Sequence, residues 1–271
     1  NSINIGRLVP QVVYYVNAYV KLLENGEIAN GEKINICVPT GNFGNILAAY
    51  FAKSMGLPVN RLICASNDNK VLFDFFKTGT YDRNRDFILT TSPSMDILIS
   101  SNLERLIYLS CGCSAEKNTK LMKELSETGK YSVTPDMKEK MKDFTGYFAT
   151  QEEDAERIGE LYDRTGYVID THTGVASACY EKYRKETGDT TKTVIASTAS
   201  PFKFAKSVMK AIGKISPDSD EDDFAVIDQL SDAAKVPVPQ AVEDVRHGKV
   251  RDRMECDPSD MEEIITGLLK A

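Results

Sequence analysis

The chain has 271 residues, of which 42% are hydrophobic and 27% charged, and its net charge is −7 at neutral pH. These values are typical of a soluble globular protein with a sizeable core, and the missing basic surplus argues against a nucleic-acid-binding protein. The sequence has neither an apolar run of the ~20 residues that a membrane span needs nor a recognisable secretory signal. We therefore expect a cytoplasmic protein without a membrane partner.

The first predicted element is a long helix over about Val9–Leu23, with apolar residues on most of its sides. A helix with this pattern should be buried. Tyr14, Tyr15 and Tyr19, which recur at helical spacing, are expected in the core.

A strand–helix–strand unit follows. Lys33–Val38 and Arg61–Ala65 are short apolar runs typical of buried strands, and the pattern between them predicts a helix over Ile46–Met55. Strand, helix and strand within this distance predict a parallel sheet with a right-handed crossover.

The segment 111–150 is rich in Lys and Glu and has little strand signal, so it is interpreted as an inserted helical section. Thr150-Gln151-Glu152-Glu153 fits a capping box and begins a helix to about Arg164. A strand at Tyr167–Ile169, a helix at Thr173–Lys185 and a strand at Thr193–Ala196 would form a second strand–helix–strand unit.

The last predicted region is acidic, with 15 Asp/Glu against 7 Lys/Arg between Lys214 and Ala271. We interpret it as a solvated helical tail, with an interaction segment as the alternative. The six cysteines and two histidines show no convincing metal-ligand spacing, and no metal site is predicted.

The loop Gly41-Asn42-Phe43-Gly44-Asn45 is the strongest candidate for a functional site. It follows a predicted strand and begins a helix, at the edge of an open α/β sheet where ligands bind. The backbone N–H groups at a helix N-terminus attract anions, and glycine lets the backbone approach them closely. This pattern favours a phosphate cradle over an ordinary strand-to-helix turn.

Two further groups are ambiguous on their own. Thr198 follows a predicted strand and either faces the same crevice or belongs to a helix-capping cluster. Asn1, Ser2 and Arg7 either bind an anion, for which a guanidinium is well suited, or cap a helix beside a surface arginine. His172, at a helix entry, is interpreted as structural.

The chain resembles threonine synthase, and in order and spacing its motifs match the larger, monomeric branch of that family. The matching segments are Asn1–Arg7, Pro39–Asn45, Ser92–Ile97, Ser101–Leu106, Ser197–Pro201 and, less specifically, Val245–Leu269. The resemblance implies an α/β fold of three αβα layers around a mainly parallel sheet, as in tryptophan synthase β and other fold-type II pyridoxal-phosphate enzymes. Such a protein would act as a lyase in threonine biosynthesis.

The resemblance also assigns roles to the candidate residues. Gly41, Asn42, Phe43, Gly44 and Asn45 would bind the phosphate of pyridoxal 5'-phosphate (PLP), and Thr198 would hydrogen-bond the pyridine nitrogen. Asn1, Ser2 and Arg7 would bind the phosphate of the substrate, O-phosphohomoserine. The implied division is a large-domain part over 1–110, a helical insertion over 111–150, a return to the large domain over 151–213 and an acidic helical tail over 214–271.

No lysine of this chain matches the family's Schiff-base lysine, so no catalytic residue is assigned. We expect that lysine in an upstream segment of the same protein, and we expect the isolated chain to be inactive and the full-length protein to be a monomer. Three alternatives remain open, namely a phospho-lyase that releases a keto acid from the same substrate, a sister enzyme such as a threonine dehydratase or cysteine synthase, and a non-catalytic module that binds PLP or phosphate.

Overall fold

A computed structural model describes residues 3–249 and 254–270 of the chain. It contains two compact units, Asn1–Lys235 and Val236–Ala271. Within the described residues, none of the helices combines the length and the apolar character that crossing a membrane requires.

The first unit contains both helices and strands. Its elements are α1 (Ile5–Leu8), α2 (Val12–Glu24), β1 (Ile34–Pro39), α3 (Gly44–Ser54), β2 (Val59–Ser66), α4 (Val71–Thr78), β3 (Thr80–Asp82), α5 (Leu103–Ser110), α6 (Ala115–Thr128), β4 (Lys130–Ser132), α7 (Pro135–Lys140), β5 (Phe144–Phe148), α8 (Gln151–Thr165), α9 (Thr171–Thr187), β6 (Thr193–Ile195), α10 (Ala205–Ala211) and α11 (Asp223–Ala234). Short three-ten turns occupy Val9–Gln11, Pro93–Met95 and Pro201–Phe204.

The central sheet has four parallel strands in the order β5-β2-β1-β6, and β3 and β4 form a separate antiparallel pair. Side chains of β1 alternate between two cores. Ile36 and Val38 pack with α2, α3 and α4, whereas Cys37 packs with α9. Burial on both faces explains why β1 is apolar without interruption. Helices therefore cover both faces of the sheet, and the predicted three-layer α/β fold is confirmed.

Several local predictions differ from the structure. Residues 167–169 form no strand. The second strand–helix–strand unit begins instead with β5, which lies inside the segment predicted to be a helical insertion. β5 pairs with β2 through backbone hydrogen bonds. Gly146 in its middle lies so close to Phe73 of α4 that a Cβ would stand 2.9 Å from the Phe73 Cα. The strand is therefore specified by tertiary packing rather than by an apolar pattern.

The first helix is also less buried than predicted. Tyr15 and Tyr19 lie in the core as expected, but Tyr14 is 62% exposed and Val13 is 64% exposed. Val13, Val16 and Val20 of α2 and Val9 of the preceding three-ten turn recur at helical spacing, so they form an apolar stripe along one side of α2 and this turn that no described residue covers fully.

The acidic region divides at a different point from the predicted boundary at 214. α11 packs against α10 inside the first unit and buries Val226 and Leu230. The second unit contains α12 (Gln240–His247), a three-ten turn at Pro258–Asp260 and α13 (Met261–Lys270). None of the residues of α12 or α13 is buried.

Candidate active site

The predicted phosphate loop joins β1 to α3. Thr40 anchors its start, since its N–H donates to the Ala65 carbonyl at 2.8 Å and its Oγ1 donates to the Val38 carbonyl at 2.7 Å. Phe43 ends the loop in the left-handed region (φ 67°), an uncommon conformation for a bulky residue. The buried Phe43 ring packs against Phe144, with the ring centroids 5.7 Å apart, and this packing holds the strained backbone.

The carbonyl groups of the loop face the start of α5. Ser100 Oγ donates to the Gly41 carbonyl at 2.6 Å, while the backbone N–H and Nδ2 of Asn102 donate to the Asn42 carbonyl at 3.0 and 2.9 Å. In a trans peptide the carbonyl and the following N–H point in opposite directions. The N–H groups of Asn42 and Phe43 are therefore turned away from α5.

Gly41 is required by close packing rather than by its backbone angles. A Cβ at this position would lie 2.4 Å from the Ser94 carbonyl oxygen and 3.3 Å from the Met95 Cα. Both contacts are with backbone atoms, so any larger residue would push the loop and the three-ten turn Pro93–Met95 apart.

The N-terminus of α3 follows directly on the loop, and no side chain in the described part of the chain caps this helix. Its first N–H groups therefore keep their hydrogen-bonding capacity, and the helix dipole adds positive potential. This N-terminus lines a cavity, and Arg7 and Lys203 contribute two cationic side chains to the lining of that cavity.

This cavity, called the loop cavity below, has a volume of about 360 Å³. All five residues of the predicted loop line it, as do Thr198 and Arg7, which are distant in sequence. Asn1 and Ser2 lie outside the described residues. The structure thus brings every described residue of the predicted site to one place.

The lining residues without a predicted role in the site include Ser94, Met95, His172 and Lys203. Ser94 and Met95 belong to one of the motifs that carry the resemblance, which was the available signal for them. His172 was interpreted as structural, and the sequence offered nothing to place Lys203 at the cavity.

His172 is 2% exposed, and hydrogen bonding assigns its tautomer. Nε2 accepts the Ser94 N–H at 3.2 Å, so the proton of the neutral ring is on Nδ1. Nδ1 lies 3.2 Å from Oδ1 of Asp170, although without the alignment of a full hydrogen bond. The ring also packs against Phe204, at 4.9 Å between centroids.

Asp170 caps α9 and is fully buried. Burial by itself would raise its pKa, but the contacts with His172 and Thr173 outweigh burial and hold the pKa of Asp170 below its ordinary value. A carboxylate therefore faces Nδ1, which favours the tautomer that Ser94 requires.

A groove of about 600 Å³ adjoins the loop cavity and shares Arg7, Gln11, Asn45 and Thr198 with it. Tyr15 fixes this shared wall, since its hydroxyl makes a close hydrogen bond to Asn45 Oδ1 and a second one to the Asn45 carbonyl at 3.3 Å. A larger cavity of about 670 Å³ lies beside β5, and its lining includes neither the phosphate loop nor any predicted site residue. The residues that the structure describes contain no cluster of His, Cys, Asp and Glu suited to a metal ion.

The parallel sheet with a glycine loop at the carboxyl end of β1 defines an open α/β protein, and the solved structures that resemble it include threonine synthases. The threonine synthase from yeast superposes with a TM-score of 0.82 and 32% identity, covering 99% of this chain and 52% of that one. The PLP-bound threonine synthase from Brucella melitensis superposes with a TM-score of 0.73 and 34% identity, covering 93% and 53%.

Sequence comparison leads to the same family. Residues 173–252 match the family "Threonine synthase, C-terminal". The human protein "Threonine synthase-like 1" is 44% identical over 214 residues, which are 78% of this chain and 28% of that protein. The chain belongs to the threonine synthase family, and it spans between about a quarter and a half of the length of these relatives.

Proposed function

We propose that this chain is part of a PLP-dependent threonine synthase, which converts O-phospho-L-homoserine and water to L-threonine and phosphate. One observation carries the proposal. A loop in which Gly41 has no room for a side chain meets the uncapped N-terminus of α3 in the wall of a cavity. A phosphate monoester fits such a site, and the similar Brucella protein is described as PLP-bound.

The residues of the loop cavity suit PLP in size and charge. Its volume of about 360 Å³ lies within the range of small-molecule sites. The N–H groups of the loop and of the first turn of α3 would hold the phosphate dianion, and Lys203 adds positive charge. When bound, PLP supplies an electron sink for the substrate's carbon skeleton.

Thr198 would position the cofactor ring. Its hydroxyl can donate to or accept from a pyridine nitrogen without introducing a charge, unlike a carboxylate. The proposed result is a ring nitrogen that stays unprotonated. The preceding residue, Ser197, accepts a hydrogen bond through its Oγ from Thr173 Oγ1 at 3.3 Å. This bond links the Thr198 segment to the start of α9.

Arg7 would bind the substrate's phosphate group. It belongs to α1, whose N-cap Asn4 accepts a hydrogen bond from Gly6, and Arg105 donates to the Ile3 carbonyl at 2.8 Å. These contacts fix the short helix, so the guanidinium is presented at the wall shared by the cavity and the groove. Asn1 and Ser2 are proposed to complete this phosphate site.

The Schiff-base lysine is proposed to come from a segment outside this chain. Lys203 lines the loop cavity and is the obvious rival, although it does not occupy the family's position. Borohydride reduction followed by peptide mapping would identify the lysine that is attached to PLP. Stoichiometric attachment to Lys203 would refute this part of the proposal.

A phospho-lyase acting on the same substrate is the second candidate, and the similarity to threonine synthase-like 1 is the reason to test it. Elimination of phosphate is common to both reactions, but a synthase then adds water and releases threonine, whereas the phospho-lyase releases a keto acid. Separate assays for phosphate, threonine and keto acid distinguish them.

The decisive experiment is a chimera in which this chain replaces the matching 52% of the yeast threonine synthase. We expect threonine and phosphate in equal amounts from the chimera and no turnover from the chain alone. Phosphate with a keto acid would establish the phospho-lyase. PLP binding by the chain, followed by no turnover in a correctly folded chimera, would favour the binding module.

A further inference from the structure

His172, near the start of α9, contacts the turn that packs against the phosphate loop, although the sequence assigned it no role in the site. Its Nε2 accepts the N–H of Ser94, and the carbonyl of the same Ser94 occupies the space where a side chain of Gly41 would be. A displacement of Ser94 would therefore change the packing of the phosphate loop directly.

We propose that His172 is a positioning residue that holds the PLP-phosphate loop in shape through the backbone of Ser94, with Asp170 fixing the required tautomer. This inference rests on the proposed function, because it concerns the same cavity. It assigns His172 no proton transfer.

The contacts of the ring argue against its use as a general base. Nε2 is the acceptor for Ser94, so protonating it would break that bond, and Nδ1 carries the proton beside Asp170. The face of the ring packs against Phe204. A buried ring that is hydrogen-bonded through Nε2, lies beside a carboxylate at Nδ1 and packs on one face is suited to holding a position.

The turn that carries Ser94 is anchored independently at its far end. Asp96 Oδ1 accepts from Asn67 Nδ2 at 2.7 Å and from Asn69 Nδ2 at 3.0 Å, and its Oδ2 accepts from the Thr90 N–H at 2.9 Å. Asp96 therefore fixes the end of the segment, while His172 fixes the middle, where it meets Gly41. Loss of His172 should loosen this contact without unfolding the segment.

Three variants separate the acceptor from the shape of the ring. In His172→Gln the amide oxygen can reach the position of Nε2 and still accept from Ser94, whereas in His172→Asn the side chain reaches only to Nδ1. His172→Leu removes both functions. His247→Leu removes an exposed histidine from the second unit and is the matched control.

The first measurement needs no cofactor. Amide hydrogen exchange at Ser94 should accelerate about fivefold in His172→Leu and His172→Asn, the size expected for one neutral hydrogen bond, and should be restored in His172→Gln. Unchanged exchange at Ser94 in both deficient variants would overturn the proposal, whatever the protein binds.

The second measurement is a fluorescence titration of the yeast chimera. It compares PLP with pyridoxal, which lacks the phosphate. We expect the PLP dissociation constant to rise about fivefold in His172→Leu, with pyridoxal affinity unchanged and PLP affinity recovered in His172→Gln. Equal weakening of both ligands would overturn the proposal, because His172 would then shape the ring site. If the wild-type yeast chimera fails to bind PLP while Ser94 exchange responds as predicted, the proposed function fails and the role of His172 in the loop stands.

Discussion

Asp154 is a fully buried carboxyl group in the first turn of α8, and its surroundings suit the protonated form. Thr91 Oγ1 lies 3.3 Å from Oδ2, Oδ1 has no hydrogen-bond partner among the described residues, and Oδ1 lies against the bare Cα of Gly174. Burial, which is the largest cause, and the nearby Asp170 carboxylate together raise the pKa of Asp154 to about 8 against the opposing effect of the Thr91 hydrogen bond. Asp154 is therefore protonated at neutral pH, whereas Asp170 is ionised.

This pKa makes stability depend on pH in a predictable direction. An unfolded Asp titrates near pH 3.9, so between about pH 4 and pH 8 the folded state holds one more proton than the unfolded state. The contribution of Asp154 to the free energy of unfolding is complete below about pH 4. It falls steadily as the pH rises from there and is lost once the pH has passed about 8. The slope for one proton is about 1.4 kcal/mol per pH unit.

Asp154→Asn removes this titration with little change in shape. The free energy of unfolding of wild type minus that of the variant should fall by about 3 kcal/mol between pH 5 and pH 7, and it should level off above pH 8. Urea unfolding at one-unit intervals measures it. Glu156→Gln removes an exposed carboxylate from the same helix and serves as the control. A difference that stays constant from pH 5 to pH 8 would show that Asp154 is ionised throughout and refute the reasoning.

Three other predictions concern the loop cavity and the exposed helix. Gly41→Ala should weaken PLP binding at least tenfold while pyridoxal binding changes little, since the new Cβ would collide with Ser94, and equal affinities for PLP before and after the change would contradict this packing. In the yeast chimera, Arg7→Ala should raise KM for O-phosphohomoserine about tenfold with a smaller effect on kcat, because one charge-assisted contact is worth ~1.5–3 kcal/mol. Lys21→Ala, at an exposed ion pair, is its control, and an unchanged KM would remove Arg7 from the substrate site. The isolated chain should self-associate through the apolar stripe of α2, and Val13→Lys combined with Val16→Lys should reduce its sedimentation coefficient; a wild-type monomer at all concentrations would refute this.

The sequence determined those parts of the fold that local patterns specify. β1, α3 and β2 lie within a few residues of their predicted positions. Continuous apolar runs mark the two strands, because both of their faces are buried, and glycine-containing breaks mark the two ends of the helix between them. The capping box at Thr150 was also confirmed, with both reciprocal hydrogen bonds present. The phosphate loop was recognisable because its glycines and asparagines are adjacent in the chain.

Only the tertiary structure decided which distant residues share the loop cavity. Arg7, Ser94, His172 and Lys203 come from separate segments, and no periodicity in the sequence relates them. The same limit applies to β5, which is a strand because β2 supplies its hydrogen bonds and α4 covers its glycine. Burial of His172 and its bond to Ser94 depend on contacts across 78 residues of chain. Local sequence specifies backbone conformation, but long-range packing places one side chain beside another.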